Sequence, residues 1–353
     1  MDPLVTTIFD CCWDLGSKFF KWLFDGYFPP KTDFTPLWDE TKLHNTSKSK
    51  PILIDESVTD LTQTFIFTIP TGLTIADFIS RKQAIAQFLK ENPNNINIEI
   101  VNNLATVTIY NTSKLNFNYH SYEFDYKTEE LQVPIGVSLR DFSTIYWCPE
   151  DPNQCHLLIG GSTGAGKSVC LRVILEYLTH RNDVELYLQD TKMVDMVEYE
   201  NAAKVYNSGT DYALETALGL VKEMNNRYCY LRSKGLKDVS CCNKFNTIFY
   251  VVEELASFNP RDDKEYYSAL GELLAKGRAA GVVVVVTTQT CYAEILPGLL
   301  KNNITAVIGL RVRTHEASKV ISGDYDLLVG LRGRGHGYFL TANRDTEIQI
   351  FNI

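Results

Sequence analysis

The sequence predicts an α/β fold with a mostly parallel sheet, preceded by a small α+β domain and an N-terminal amphipathic segment. Two observations support this prediction. From residue 131 to residue 353, strand patterns alternate with helical patterns, as in parallel sheets whose strands are joined by crossover helices. One strand-to-helix junction carries the run G-x-x-x-x-G-K-S, which is typical of a loop that binds nucleotide phosphates.

Length, charge and cysteine usage restrict the class of protein. The 353 residues suffice for about two domains. A formal net charge of -9 argues against nonspecific nucleic-acid binding over the whole surface but permits a local basic channel. The nine cysteines include no CxxC pair, so reduced thiols are expected rather than a zinc ribbon or a disulfide framework.

No stretch of the sequence resembles a membrane span or a signal peptide. The longest apolar runs, such as the valines at 282–286, are far shorter than the roughly 20 residues that a span requires. Acidic residues near the N-terminus do not fit a signal peptide. We therefore expect a cytoplasmic protein without a transmembrane segment, although association with a membrane surface remains open.

Residues 1–50 form the first predicted region. Residues 1–30 are rich in aromatic side chains interrupted by charges, which favours an amphipathic helix. That helix either packs as an arm on its own or a neighbouring subunit, or makes a peripheral membrane contact. Two prolines at 29–30 end it, and a polar linker follows to about residue 50.

Residues 51–130 are predicted to form a small α+β domain. Residues 64–69 alternate as in a strand, and residues 75–89 place apolar side chains at helical spacing. The runs at 96–100 and 105–110 flank two asparagines, a hairpin signal. No catalytic constellation occurs in this domain.

Residues 131–353 are predicted to form the larger domain. The predicted strands are 156–160, 184–190, 247–252, 282–288 and 304–310, and a pair of short strands near 336–350 ends the chain. The predicted helices are 167–180, 211–233, 264–279 and 314–321.

The phosphate-loop motif lies between the first of these strands and the first helix. We expect its backbone N–H groups and the positive end of the helix to bind ATP. Lys167 is predicted to reach the β- and γ-phosphates, and the hydroxyl of Ser168 to bind Mg²⁺. The predicted nucleotide-binding residues are Gly161, Ser162, Thr163, Gly164, Ala165, Gly166, Lys167, Ser168 and Val169.

Polar residues end two further strands. Glu253 and Glu254 follow a buried run, where P-loop ATPases place one carboxylate for magnesium and a second for activating water. The usual first residue is aspartate, so Glu253 either acts through a water or weakens hydrolysis. Gln289 ends the valine-rich strand and is predicted to sense the γ-phosphate, with a simple strand-end hydrogen bond as the alternative.

Five motifs occur in the order typical of one family. They are the phosphate-loop segment, D-T-K-M at 190–193, E-M-N-N-R-Y at 223–228, V-V-E-E-L-A-S at 251–257 and K-G-R-A-A-G-V-V-V-V-V-T-T-Q at 276–289. Together they resemble the motor domain of FtsK/SpoIIIE DNA translocases over about 131–340. Residues 51–130, with T-I-P-T-G-L at 68–73, are similar to the helper domain that precedes this motor.

The resemblance implies a RecA-like P-loop ATPase that assembles as a homo-oligomeric ring, usually a hexamer, and threads double-stranded DNA. It also implies that Lys167, Glu254 and Gln289 are catalytic and that Ser168 and Glu253 serve the metal. An arginine acting in trans is expected. Because Lys319 stands where the family carries that arginine, the candidates are Arg278, Arg311 and Arg313.

A compact motor of this kind fits a plasmid or conjugative element, with a relaxase or another mobile-element protein as a partner. Two basic stretches are candidate DNA contacts, because arginine, lysine and glycine backbone groups bind phosphates without reading sequence. The candidates are Lys234, Lys237, Arg332 and Arg334. Both stretches are equally compatible with solvated loops, and the two arginines with a subunit interface.

Two other functions remain open from the sequence. One is a nucleotide-gated assembly or docking protein whose hydrolysis is weak because Glu253 replaces aspartate. The other is a secretion-system ATPase that moves protein substrates.

Overall fold

The computed structural model describes residues 32–353, apart from 102–103, 112, 129, 243, 290–291 and 293. The chain forms two compact units that divide between Lys114 and Leu115. The amphipathic segment predicted at residues 1–30 lies outside the described residues.

The small unit contains a four-stranded antiparallel sheet in the order β1-β2-β4-β3. Its elements are α1 (Thr35–Glu40), β1 (Leu53–Val58), β2 (Thr62–Thr68), α2 (Ile75–Ile79), α3 (Lys82–Leu89), β3 (Ile96–Val101) and β4 (Leu104–Tyr110). Alternation along β2 directs Phe65 and Phe67 into a core that also contains Trp38, Phe78 and Ile85. The predicted α+β character and hairpin are therefore present in this unit.

The helix expected over residues 75–89 is two helices. The guanidinium of Arg81 donates to the carbonyl of Asp77 at 2.8 Å, and the Arg81 amide donates instead to Phe78 at 3.0 Å. A continuous α-helix would pair the Arg81 amide with the Asp77 carbonyl. The Asp77 carbonyl thus accepts from the side chains of Arg81 and Ser80, the latter at 2.9 Å, rather than from the amide that would continue the helix.

The large unit contains a ten-stranded mixed sheet in the order β6-β5-β14-β13-β12-β7-β11-β10-β8-β9. Its strands are β5 (Val133–Ser138), β6 (Thr144–Trp147), β7 (Leu157–Gly160), β8 (Val184–Asp190), β9 (Val205–Ser208), β10 (Thr247–Glu253), β11 (Val282–Thr288), β12 (Ala306–Leu310), β13 (His336–Thr341) and β14 (Asp345–Ile350). Its helices are α4 (Lys167–Thr179), α5 (Ala213–Lys234), α6 (Lys264–Lys276), α7 (Gly298–Lys301) and α8 (His315–Ser322).

The six strands from β12 to β9 run parallel, and the other four are antiparallel additions. This confirms the predicted α/β class with a mostly parallel sheet. The central strands read as continuous apolar runs because both sheet faces are buried, with Val251 and Val285 in one core layer and Val252 and Val284 in the other. Within the described residues, no helix is both long and apolar enough to cross a membrane.

The division between the units falls earlier than the boundary predicted after residue 130. The side chains of Tyr119 and Leu131 are buried in the core of the large unit. The Tyr119 amide also donates to the carbonyl of Asn352 at 2.8 Å. The segment from Leu115 onwards therefore belongs to the large unit.

Candidate nucleotide-binding site

The phosphate loop joins β7 to α4 at the carboxyl-terminal edge of the parallel strands. Gly164 and Gly166 have φ values of 75° and 113°, a region that side chains other than glycine rarely adopt. The Ser162 amide donates to the carbonyl of Arg311 at 2.9 Å, and the Gly161 amide to that of Thr288 at 3.3 Å. The ends of the neighbouring strands β11 and β12 therefore hold the start of the loop.

Lys167 begins α4 and is 8% exposed. Its ammonium donates to the carbonyl of Gly161 at 2.6 Å and to that of Ser162 at 3.2 Å. Ser168 and Val169 follow in the first turn, where unpaired helix N–H groups and the helix dipole attract anions. The predicted nucleotide-binding residues are thus contiguous, and two carbonyls of the loop hold the Lys167 ammonium in place.

Glu254 occupies a strained position just after β10. It is buried and has a φ of 56°, and its amide donates to the hydroxyl of Thr287 at 3.0 Å. Its carboxylate accepts from the Thr288 hydroxyl at 3.2 Å and from the Gln289 amide at 3.0 Å. These contacts fix the carboxylate beside the end of β11, the strand next to the phosphate-loop strand.

Glu253 lies on the other side of the strand end, toward β8. Its Oε1 forms an ion pair with Lys192, and its Oε2 accepts from the Thr191 hydroxyl at 2.9 Å. Burial raises the pKa of the Glu253 carboxyl and outweighs the opposite effect of Lys192. The residue predicted to serve magnesium therefore has its charge balanced by a lysine of the same chain.

Gln289 contacts the phosphate loop directly. The hydroxyl of Thr163, at the exposed tip of the loop, donates to the Gln289 side-chain oxygen at 2.8 Å. The structure thus joins the predicted sensor, the predicted base Glu254 and the loop in one cluster of hydrogen bonds.

The three arginines predicted to act in trans lie in different places. Arg278 precedes β11 and so lies at the amino-terminal ends of the parallel strands, away from the phosphate loop; it pairs with Asp238 at 3.6 Å. Arg311 follows β12 beside the phosphate loop of its own chain, which its carbonyl contacts. Arg313 is exposed two residues further on. The trans-acting role of all three stays a prediction.

The basic residues predicted to contact DNA also separate into two groups. Lys234 and Lys237 are exposed at and after the end of α5, at the sheet edge away from the phosphate loop. Residues 332–335, here called the arginine–glycine loop, lie instead against the phosphate loop. The Gly335 amide donates to the carbonyl of Ala165 at 2.7 Å.

Sequence reasoning missed three features of this site. Two of them are Lys192 and Thr191 of the D-T-K-M motif, for which the sequence alone predicts no individual role. The contact between the arginine–glycine loop and Ala165 has no local sequence signal, since the two segments are far apart in the chain.

The oxygen atoms of the side chains beside the phosphate loop are suitable ligands for magnesium. Among the described residues, no cluster of three or more His, Cys, Asp or Glu side chains could hold a metal ion on its own. Magnesium bound with nucleotide phosphates needs only one or two protein oxygens, because phosphates and waters complete its octahedron. The Ser168 hydroxyl and one carboxylate of the Glu253–Glu254 pair meet that requirement.

A parallel sheet, a phosphate loop and an acidic pair meeting at one sheet edge define the class as a RecA-like P-loop ATPase. The FtsK/SpoIIIE family model matches residues 116–340, well over half of the chain. The chain therefore belongs to the FtsK/SpoIIIE family.

Named relatives agree with this assignment. The chain is 30% identical to DNA translocase FtsK of Helicobacter pylori over 52% of this chain and 24% of that protein. It is 27% identical to DNA translocase SftA of Bacillus subtilis over 73% of this chain and 28% of that protein. The chain thus spans about a quarter of the length of these relatives.

Two solved structures share the fold. One is the pCW3 conjugation coupling protein TcpA, in a monomer form with ATPγS. Its TM-score is 0.62 at 22% identity, and the match covers 90% of this chain and 94% of that one. The type VII secretion ATPase EccC of Thermomonospora curvata has a TM-score of 0.55 and 20% identity, covering 67% of this chain and 32% of that one.

Proposed function

We propose that the protein is an ATP-driven translocase that moves double-stranded DNA as a homo-oligomeric ring, in the transfer or maintenance of a plasmid or conjugative element. The observation that carries this proposal is the convergence of Lys167, Glu254 and Gln289 at one sheet edge in a member of the FtsK/SpoIIIE family. The hexameric ring, a relaxase partner and a membrane contact through residues 1–30 are further parts of the proposal.

The site suggests a division of roles during hydrolysis. Lys167 neutralises charge on the β- and γ-phosphates, and Glu254 accepts a proton from the attacking water. Gln289, tied to the loop through Thr163, orients that water. Ser168 and one acidic residue would hold Mg²⁺, which would supply charge neutralisation at the phosphates.

The test is an ATPase assay with duplex DNA, with single-stranded DNA and without DNA. We expect duplex DNA to stimulate turnover several-fold, and Lys167→Ala to abolish turnover under every condition. Glu254→Gln provides a matched variant that should bind ATP yet hydrolyse it slowly. ATP turnover that is indifferent to both kinds of DNA would count against translocation.

Two measurements separate the remaining functions: particle size with and without nucleotide, and ATP turnover with and without a peptide. Nucleotide-dependent rings with negligible turnover would favour a nucleotide-gated docking protein. Turnover stimulated by a peptide rather than by DNA would favour a secretion ATPase, the activity named for the similarly folded EccC.

DNA contact by the exposed lysines has its own test. We expect Lys234→Ala combined with Lys237→Ala to weaken duplex binding and to reduce its dependence on salt concentration, because fewer counterions are released. Lys222→Ala, an exposed lysine in the middle of α5, is the matched control.

A further inference from the structure

The arginine–glycine loop has an unusual backbone. Gly333, Arg334 and Gly335 have consecutive φ values of 80°, 54° and 84°. Glycine adopts this region freely, but arginine does so at an energetic cost. The surrounding structure must therefore hold Arg334 in this conformation, which makes its placement a feature to explain.

The loop is packed directly on the phosphate loop. A β-carbon placed on Gly166 would lie 2.6 Å from the amide nitrogen of Gly335 and 3.5 Å from the carbonyl carbon of Arg334. Together with the Gly335-to-Ala165 hydrogen bond, this brings the main chain of Arg334 to the residue that precedes Lys167.

Hydrogen bonds from β14 brace the other side of the loop. The Gln349 side chain donates to the carbonyl of Arg334 at 2.7 Å, and the Ile350 amide donates to that of Gly335 at 2.8 Å. The next residue, His336, accepts from the Arg332 amide at 3.2 Å and bonds to Glu347 at 2.8 Å. The loop is therefore held from both sides.

The side chain of Arg334 differs from this rigid backbone. The residue is exposed, and its guanidinium has no hydrogen bond or ion pair with any residue that the structure describes. Arg311, in contrast, directs its guanidinium against Gly333 and donates to the carbonyl of Arg332 at 3.4 Å. The main chain of Arg334 thus lies against Gly166 at the edge of the phosphate loop, and its charged side chain is exposed.

We propose that Arg334 binds, in cis, the phosphate groups of the nucleotide held by the phosphate loop of the same chain. This inference rests on the proposed nucleotide-binding function and assigns to it a residue 167 positions beyond Lys167. A guanidinium forms charge-assisted and often bidentate hydrogen bonds with phosphate oxygens. Gln349, His336 and Glu347 act as positioning residues that fix the backbone of the loop.

The test measures affinity for a fluorescent N-methylanthraniloyl ATP in Arg334→Asn, Arg334→Lys and the wild type. Asparagine tolerates the left-handed backbone, so the first variant should fold. We expect Arg334→Asn to bind about 10- to 100-fold more weakly, the range for losing a hydrogen bond to a charged group. Arg334→Lys should recover part of the affinity because it keeps the charge.

Arg344→Asn is the matched control, because Arg344 is exposed at the far end of the same β13–β14 hairpin. Its affinity should equal that of the wild type. Thermal unfolding of each variant establishes that the fold is intact. Wild-type affinity in a folded Arg334→Asn protein would overturn the inference, as would weaker duplex DNA binding with unchanged ATP affinity.

A second arm separates action in cis from action in trans. Affinity is measured at concentrations below and above those at which the chain assembles, as determined by sedimentation. A cis contact predicts the same loss in both ranges, whereas a loss confined to the assembled protein would overturn the assignment in cis. If Lys167→Ala also left ATP affinity unchanged, the proposed nucleotide site itself would fail, which is a distinguishable result.

Discussion

Replacing Lys192 by methionine should lower the free energy of unfolding, because it removes the positive charge that pairs with the buried Glu253 carboxylate. The Glu253 side chain is 5% exposed, whereas that of Lys192 is 35% exposed. Methionine preserves most of the aliphatic length of lysine and removes the charge. The buried carboxylate would then keep the Thr191 hydrogen bond but lose its counter-charge.

The expected magnitude follows from this burial. Removing one partner of a fully buried ion pair destabilises a protein by about 3–5 kcal/mol. Because solvent reaches Lys192 and screens the pair, we expect a loss of about 2 kcal/mol near neutral pH. For a unit of this size, that corresponds to a fall in melting temperature of roughly 4–8 °C.

The loss should depend on pH in a defined direction. Burial already raises the pKa of Glu253, and removing Lys192 raises it further. A raised folded-state pKa means that the variant is least destabilised below the unfolded-state pKa. It loses stability progressively as pH rises through the folded-state pKa. We therefore expect a larger deficit near about pH 8 than near about pH 5.

Urea denaturation followed by circular dichroism at both pH values measures this deficit. Adding Glu253→Gln to Lys192→Met should restore part of the lost stability and abolish its pH dependence. Lys204→Met is the matched control, because Lys204 pairs with Glu185 at 2.8 Å in a more exposed position. It should cost at most about 1 kcal/mol. An equal deficit at both pH values would refute the reasoning.

Three further predictions concern Glu254, Thr163 and His156, the last of which directly precedes β7. Glu254→Gln should reduce hydrolysis by about 10²–10⁴-fold while ATP binding persists, as measured by steady-state turnover and nucleotide titration. Thr163→Val should lower turnover, and its effect should not add to that of Gln289→Ala, because the two side chains share one hydrogen bond. Burial lowers the pKa of His156 to about 4, and its ring accepts from the Val284 amide. Since the folded-state pKa is depressed, the wild type should lose about 2 kcal/mol more than His156→Asn between about pH 7 and pH 5, measured by urea denaturation.

Much of the fold was predictable because its signals are local. The predicted bounds of β8 and β11 match the structure, since both are buried runs bounded by turn residues. The strands β5, β6 and β9 were not predicted, because none of them shows the continuous apolar run or the regular alternation that marks a strand. The break between α2 and α3 coincides with side-chain hydrogen bonds from Ser80 and Arg81 to the Asp77 carbonyl, which a periodicity argument cannot detect.

The sequence by itself determined the phosphate loop, the acidic pair and Gln289, because each is a strand end, and the ends of parallel strands meet at one edge. Only the tertiary structure decided how their charges are partnered. In the folded protein, Glu253 forms an ion pair with Lys192. Strand β13 runs antiparallel to β12, and this places the arginine–glycine loop, which precedes β13, on Ala165 and Gly166. Such contacts join residues far apart in the chain, and their register depends on packing rather than on any local pattern.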